Sequence, residues 1–309
     1  MFDQVLIRSG AAEAERWVAA DLHIHSVYSG GCLTPAEIIG EAQQRLLEVA
    51  AIADHFQVKG ALEGKQLAQA VPGNPEILSA QEISLGDHFH LVVIGVTEPW
   101  PEGHRTQLMT RLVDHHRQGG IIILAHPWTI PRNGWGPGCL RDMLGGGVLD
   151  AAELFNASIL SQGPRSNYLL QSVWEELIVP HQLAVVGGSD FHRFNQGRFI
   201  GGGRTYLYVK TPGVQGIMEA LRERRTVAGL FSNRPFNLGT FGAGNSVIFG
   251  VEPWYGKLKE VIADLQCRLT RVYTEGYGQL DPSLIRFWSS LLATGQYQHL
   301  QEFLTVGII

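Results

Sequence analysis

Short runs of apolar residues recur along the first two thirds of the chain, and most of them end in a polar residue. Residues 49–53 and 121–125 are apolar throughout and lack the alternation of a half-exposed strand. Such runs are typical of strands that are buried on both faces of a parallel sheet. The pattern predicts strands at 18–25, 49–53, 76–83, 89–95, 121–125, 148–155, 183–187 and 204–209.

Segments with helical spacing lie between these strands. Thr34 can cap a helix, Pro35 suits the first helical position, and Glu37 completes a capping box. Helices are predicted at 34–46, 60–70, 104–118, 165–179 and 214–225. Alternating strands and helices indicate an α/β fold with a mainly parallel sheet, and seven or eight strands favour a closed barrel over an open doubly wound sheet.

The pattern changes after Arg225. Residues 226–256 are rich in Gly, Asn, Phe and Pro and show no clear period. Two or three helices are predicted beyond them, at 257–272, 281–293 and 295–304. We therefore expect a barrel domain at 1–230 and a mainly helical C-terminal extension at 231–309, whose role the pattern does not indicate.

Composition narrows the class of protein. The 309 residues are 45% hydrophobic and 17% charged, and no apolar run reaches the length of a membrane helix. The first twenty residues lack a signal-peptide core, so we expect a cytoplasmic protein without a membrane partner. The three cysteines, Cys32, Cys139 and Cys267, argue against a disulfide framework. With a net charge of −5, stable nucleic-acid binding is not expected, although the mildly basic residues 210–309 do not exclude it.

Polar residues with metal-binding chemistry lie at the strand boundaries. His23 and His25 share one face of a strand, and two adjacent imidazoles can chelate a metal, although this spacing alone is a weak signal. The carboxyl ends of parallel barrel strands share one rim, where such groups converge. The candidate ligands are His23, His25, His55, Glu82, His90, His126, Asp190 and His192. Imidazole and carboxylate without thiolate favour Zn, Mn or Fe, and eight ligands predict two or three divalent ions.

Six segments in order resemble the successive motifs of the PHP family, named after polymerase and histidinol phosphatase. The segments are Asp21–Ser26, Ala53–His55, Gln81–Ser84, His90–Leu91, Ala125–Pro127 and Gly188–His192, within residues 17–230. The resemblance implies a distorted (β/α)7 barrel with a three-metal cluster and phosphoesterase chemistry.

The resemblance also assigns the candidate ligands to individual ions. It implies a first ion at His23, His25, Glu82 and Asp190, a second at Glu82, His90 and His126, and a third at His55 and His192. Asp54 would orient a ligand histidine. Gly30 stands where many family phosphatases have Asp, so the motifs supply the third ion with two ligands only.

The function that this resemblance implies is hydrolysis of a phosphate ester by a hydroxide that the metal cluster activates. The substrate would be a small phosphorylated compound or a nucleotide. His192, or a water at the metals, would protonate the leaving oxygen. Arg193, Arg198 and Arg204 are candidate phosphate-binding residues, although surface solubility explains any one of them better.

Two alternatives remain open at this point. The first is a nuclease or nucleotide-trimming enzyme that acts on DNA or RNA ends with the same cluster. The second is a metal-binding module without turnover, which only Gly30 favours.

Overall fold

A ten-stranded sheet organises the part of the chain that the computed structural model describes, namely residues 15–85, 89–100, 105–130, 139–194 and 198–263. The strands are β1 (Arg16–Ile24), β2 (Val49–Ile52), β3 (Glu76–Ser84), β4 (His90–Ile94), β5 (Ile121–Ala125), β6 (Ala151–Asn156), β7 (Ala184–Gly188), β8 (Gly203–Val209), β9 (Thr226–Asn237) and β10 (Ala243–Gly250). Their spatial order is β10-β9-β8-β1-β2-β3-β4-β5-β6-β7. The α/β class is confirmed.

The strands β1 to β7 curve into a nearly closed barrel. β1, β2 and β3 are parallel neighbours, as are β5, β6 and β7, whereas β4 runs antiparallel to β3 and β5. At the seam between β7 and β1, the Asp190 amide donates to the His23 carbonyl (2.8 Å) and the His25 amide to the Phe191 carbonyl (3.0 Å). The barrel-like form agrees with the prediction, but a regular repeat of seven strand–helix units is not confirmed, because β4 reverses direction.

Helices connect the strands. They are α1 (Pro35–Gln44), α2 (Lys59–Gln69), α3 (Arg105–Arg117), α4 (Cys139–Gly145), α5 (Ser166–Ser172), α6 (Val179–His181) and α7 (Gly213–Arg222). The predicted helix at 165–179 is less regular than expected. The chain forms a 3₁₀ helix at Ala157–Arg165, with Gly163 in a left-handed conformation, then α5, then a π-helical stretch at Val173–Ile178. No helix among the described residues is both long enough and apolar enough to cross a membrane.

The segment at 226–256 is the main departure from the sequence-based expectation. It forms the antiparallel pair β9 and β10, joined by a short 3₁₀ helix at Gly239–Phe241, so most of residues 231–250 are strand and not α-helix. β9 also crosses the expected domain boundary at residue 230. Val227, Ala228, Leu230 and Phe231 are all buried, and they pack in two different core clusters. Because both faces of β9 are covered, its sequence lacks the alternation that would have marked a strand.

Helical residues resume at 254–263, a few positions earlier than predicted. Leu258 is buried there, and Val261 and Ile262 pack against the same core cluster. The remainder of the predicted helix at 257–272, and the helices predicted at 281–293 and 295–304, lie outside the described residues.

The start of α1 forms the predicted capping box. The Thr34 hydroxyl accepts from the Glu37 amide, and the Glu37 carboxylate accepts from the Thr34 amide at 2.8 Å. Two amides that the helix leaves unpaired are thereby satisfied.

Replacing Thr34 by alanine is expected to lower the free energy of unfolding by about 1 kcal/mol, because one capping hydrogen bond is lost. Thr110→Ala, an exposed change within α3, serves as the control and should be nearly neutral. Chemical denaturation of both variants measures the difference. Equal stability of the two variants would contradict the capping role.

Candidate metal centre

The predicted ligands meet at one end of the barrel. His25, His55, His126, Asp190 and His192 follow the carboxyl ends of their strands, and Glu82 lies near the end of β3. His90 is the first residue of β4, opposite Ser84 in the β3 pairing. Because β4 is antiparallel to β3, its amino end lies at the rim where the other strands finish.

A change of register in β1 turns its histidines inward. The pairing of β1 with β2 shifts between Asp21 and Ile24. Ile24 packs in the same cluster as Trp17 and Ala19, whereas Leu22 packs in the cluster that contains Val18 and Ala20. An irregularity of this kind interrupts the in–out alternation of a strand. The shift allows the side chains of both His23 and His25 to point toward the other candidate ligands.

Three sets of side chains have ligand atoms close enough to hold a metal ion. The sets are His23, His25, Glu82 and Asp190, then Glu82, His90 and His126, and finally His25, His55 and His192, with the ligand atoms of each set within 4.8 Å of one another. The first two sets have the membership that the motifs implied. The third differs, because it also includes His25.

Glu82 connects the sets. Its Oε2 lies 3.1 Å from His25 Nε2 and 3.3 Å from both His23 Nε2 and His55 Nε2. Its Oε1 lies 2.9 Å from His90 Nδ1 and 3.1 Å from His126 Nε2. Burial would raise the pKa of Glu82, but the surrounding histidines hold it well below the usual range. Glu82 is therefore ionised and shared between the sets.

Hydrogen bonds on the far side of the rings determine which nitrogens face the cluster. His23 Nδ1 lies 2.9 Å from Glu153 Oε1, and a carboxylate that already accepts from the His126 amide (2.7 Å) and from Asn156 Nδ2 (2.9 Å) acts as an acceptor. Nδ1 of His23 therefore carries the hydrogen, and Nε2 presents a lone pair to the cluster.

Ser29 has the same effect on His25. The Ser29 hydroxyl donates its only hydrogen to Asp54 Oδ1 at 2.7 Å. Its oxygen, 3.2 Å from His25 Nδ1, can then only accept, so Nδ1 of His25 is protonated and Nε2 carries a lone pair. Thr129 repeats this arrangement, because its hydroxyl donates to the His126 carbonyl (2.9 Å) and lies 3.2 Å from His126 Nδ1.

The first set consequently brings together acceptors alone. The Nε2 atoms of His23 and His25 are 3.1 Å apart, and Asp190 Oδ1 lies 3.6 and 3.4 Å from them. Two lone pairs and two carboxylates, nearly all buried, are stable together only around a cation or after gaining protons. In the protein without metal, burial opposes protonation, but Glu82, Glu153 and Asp190 raise the pKa of His23. The donor set fits a divalent metal ion.

The third set is different in chemistry, because it consists of three imidazoles. Burial, reinforced by the neighbouring histidines, lowers the pKa of His55 to about 4 and also lowers that of His192. Both rings are neutral at pH 7 and can act as ligands. Gly30, with φ +85°, directs its missing Cβ to within 3.8 Å of His192 Cδ2. The position that the motifs left without a carboxylate therefore faces this set.

Two residues of the cluster have left-handed backbone conformations, His126 with φ 28° and Asp190 with φ 49°. Such conformations are unfavourable for residues other than glycine and are concentrated at functional sites. They aim both side chains toward Glu82.

Asp54 acts less directly than the motifs implied. Its buried carboxylate accepts from the Ser26 amide (2.8 Å), the Ser26 hydroxyl (2.6 Å) and the Ser29 hydroxyl (2.7 Å). It therefore reaches His25 through Ser29, and its three donors leave it poorly placed to take part in proton transfer.

The three candidate arginines differ in their exposure to solvent. Arg204 is fully buried, donates from Nε to the Gly201 carbonyl (2.9 Å) and packs over the Phe231 ring at 4.5 Å. Its expected role in phosphate binding is wrong, because an enclosed guanidinium cannot reach a ligand at the rim. Arg193 is exposed and Arg198 half-buried, so both keep that role as a prediction.

The sequence-based prediction missed Glu153, Ser29 and Thr129. Glu153 offered a signal, since it is the one charged residue within the apolar strand β6, and a buried carboxylate needs a partner. Ser29 and Thr129 are ordinary loop hydroxyls in the sequence, and only the fold shows the rings that they hold.

Replacing Ser29 by alanine is expected to weaken binding of the metal at the first set by about 10- to 100-fold, because His25 loses the acceptor that orients it. Ser29→Thr, which keeps the hydroxyl, should restore most of the affinity. Ser161→Ala, which removes an exposed hydroxyl, is the control. Competition with a chromophoric chelator measures the affinities, and an unchanged affinity of Ser29→Ala would refute the orienting role.

No family model matches the chain. The uncharacterized protein MJ1587 of Methanocaldococcus jannaschii is 29% identical over 171 residues, which are 51% of this chain and 92% of that protein.

Among solved structures, the chain is similar to one from Bacteroides vulgatus described as a two-domain protein containing a predicted PHP-like metal-dependent phosphoesterase. The TM-score is 0.55, the identity is 20%, and the match covers 72% of this chain and 66% of that one. An amidohydrolase from Chromobacterium violaceum matches with a TM-score of 0.44 at 21% identity, over 65% of this chain and 96% of that one. The fold of this chain is therefore similar to that of the Bacteroides vulgatus protein.

Proposed function

We propose that this chain, with its PHP-like fold and three sets of metal-binding side chains, is a metal-dependent phosphoesterase. The observation that carries the proposal is the convergence of four acceptors, with no donor among them, at His23, His25, Glu82 and Asp190. Divalent ions bound at these sets would offset the charge of the phosphate oxygens and acidify a water molecule for attack on phosphorus.

In this proposal, the side chains of the protein hold and orient the metal ions. Glu82 holds the sets together, and Glu153, Ser29 and Thr129 keep the ring nitrogens of three histidines pointed at the ions. His192 is the proposed ligand of the third ion. Its ring is neutral, and its Nδ1 lies 3.2 Å from the Asp190 carbonyl, so a lone pair on Nε2 suits a ligand better than a proton donor.

Arg193 and Arg198 are the proposed contacts for the substrate phosphate. Arg193 directly follows His192 and is exposed, so its guanidinium can approach a phosphate at the rim. The barrel is also proposed to be the functional unit, with the residues beyond β10 as an appendage.

The test is metal content and activity measured together. Purified protein should carry two or more equivalents of Zn, Mn or Fe and hydrolyse phosphate esters. His25→Ala and Asp190→Ala should lose metal and activity together, while His181→Ala, at an exposed histidine outside the three sets, should keep both. Metal-free wild-type protein that still hydrolyses phosphate esters would overturn the proposal.

The substrates that are hydrolysed decide between the alternatives. Activity on oligonucleotide ends but not on small monoesters would select the nuclease. Stoichiometric metal without hydrolysis of monoesters, diesters or oligonucleotides would select a metal-binding module.

A further inference from the structure

Phe56 occupies an unusual place beside the metal centre. It directly follows His55, and the two rings stack with centroids 5.8 Å apart and an interplanar angle of 29°. His55 in turn has Nε2 3.3 Å from Glu82 Oε2. The Phe56 ring therefore lies one ring away from the metal-binding atoms, and 38% of its surface is exposed to solvent.

The position of Phe56 does not contribute to the stability of the fold in an obvious way, because both its backbone and its exposure are unfavourable. Phe56 has φ +57°, in the left-handed region that bulky residues avoid and glycine adopts freely. The chain thus places a large apolar side chain where the backbone disfavours it and where water contacts it. Backbone strain of this kind at the edge of a functional site points to a role in binding.

The loop that carries Phe56 is tied to the loop that follows β1. Gln57 Nε2 donates to the Tyr28 carbonyl, and Lys59 Nζ lies over the Tyr28 ring at 4.6 Å, so the loops after β1 and β2 are tied together. The Ser29–Asp54 hydrogen bond adds a third tie. The loop after β2 that carries Phe56 is therefore held in place by the loop after β1, which also carries Ser29.

We propose that Phe56 is the binding position for a flat aromatic group carried by the substrate. This inference rests on the proposed phosphoesterase function. With the phosphate at the metal-binding sets, a planar group one bond or a few bonds away reaches the Phe56 ring, whereas a small polyol phosphate does not use it. Aryl and nucleoside phosphates share the required chemistry, and stacking on an aromatic side chain tolerates either.

The experiment compares two inert phosphate mimics on the metal-loaded protein, at a pH above the second pKa of both, so that each carries two negative charges. Phenylphosphonate should bind about tenfold more tightly than methylphosphonate, from stacking on Phe56. Phe56→Ala and Phe56→Gly should reduce that ratio to about two, and Phe56→Tyr should keep it. Leu67→Ala removes a side chain of similar exposure on α2 and should leave the ratio unchanged. Because each ratio is taken within one variant, differences in metal loading cancel.

Phe56→Gly also separates binding from folding. Glycine adopts φ +57° without steric cost, so the thermal midpoint of this variant should equal or exceed that of the wild type while the selectivity is lost. Equal affinity of the wild type for the two phosphonates, or an unchanged ratio in Phe56→Gly, would overturn the proposed role of Phe56 alone. Binding of neither phosphonate would overturn the proposed function together with it. Adenosine monophosphate and phenyl phosphate, compared as substrates, then distinguish a nucleoside from a simple aryl group.

Discussion

Glu82→Gln is expected to reduce bound metal to less than one equivalent and to lower phosphoesterase activity more than 100-fold. Glutamine keeps the shape of the side chain but has one oxygen acceptor, and its amide hydrogens would point at imidazole lone pairs. Since both carboxylate oxygens of Glu82 contact histidines, two of the three sets lose their shared anion at once. Loss of a positioning residue alone typically costs 10- to 100-fold, so loss of a shared ligand should exceed that.

Glu76→Gln is the matched control, because it makes the same exchange at the opposite end of the same strand, where the side chain is half-exposed. Elemental analysis of the purified variants gives the metal content, and initial rates on a phosphate monoester give the activity. A Glu82→Gln protein that retains two equivalents of metal would show that the sets do not depend on this carboxylate.

Removing the metal is expected to lower the thermal midpoint by about 10 °C. An ion present at 1,000 times its dissociation constant stabilises the folded state by about 4 kcal/mol, and each kcal/mol is worth about 2–4 °C in a chain of this size class. The expectation has a structural cause, because the acceptors at His23, His25, Glu82 and Asp190 repel one another without a cation.

Calorimetry with and without a chelator measures this shift, and adding back Mn or Zn should reverse it. In Asp190→Asn, where the first set is weakened, the chelator should have a smaller effect. If chelation leaves the wild-type midpoint unchanged, the proposed linkage between metal and folding is wrong.

The ligands could be predicted from sequence because each stands where a strong pattern ends. The apolar runs at 49–53 and 121–125 are strands, and His55 and His126 follow them at the rim. The direction of β4 could not be read in this way, since its buried residues look the same in a parallel or an antiparallel neighbour. His90 was therefore identified by its motif and not by the position that makes it useful.

Other features depend on contacts between distant segments. Glu153 orients His23 from 130 positions away, and Arg204 is enclosed only because the pairing of β8 with β9 brings Phe231 over it. The strand β9 escaped prediction because burial on both faces removed its alternation. The local pattern of apolar and polar residues indicates which helices and strands form. The roles of Glu153 and Arg204 follow instead from the packing of these elements against one another.

The first metal set spans the seam at which the barrel closes. Between β7 and β1 the sheet ladder is replaced by a few hydrogen bonds, among them that from the Ser189 amide to Asp21, which joins positions 168 apart in the sequence. His23 and His25 lie on one side of this seam and Asp190 on the other. An ion bound by residues on both sides would cross-link positions that are far apart in the sequence. Like a disulfide, it would close a very long loop, but only while the metal is bound. Bound metal would then stabilise the closed barrel in addition to its proposed role in hydrolysis.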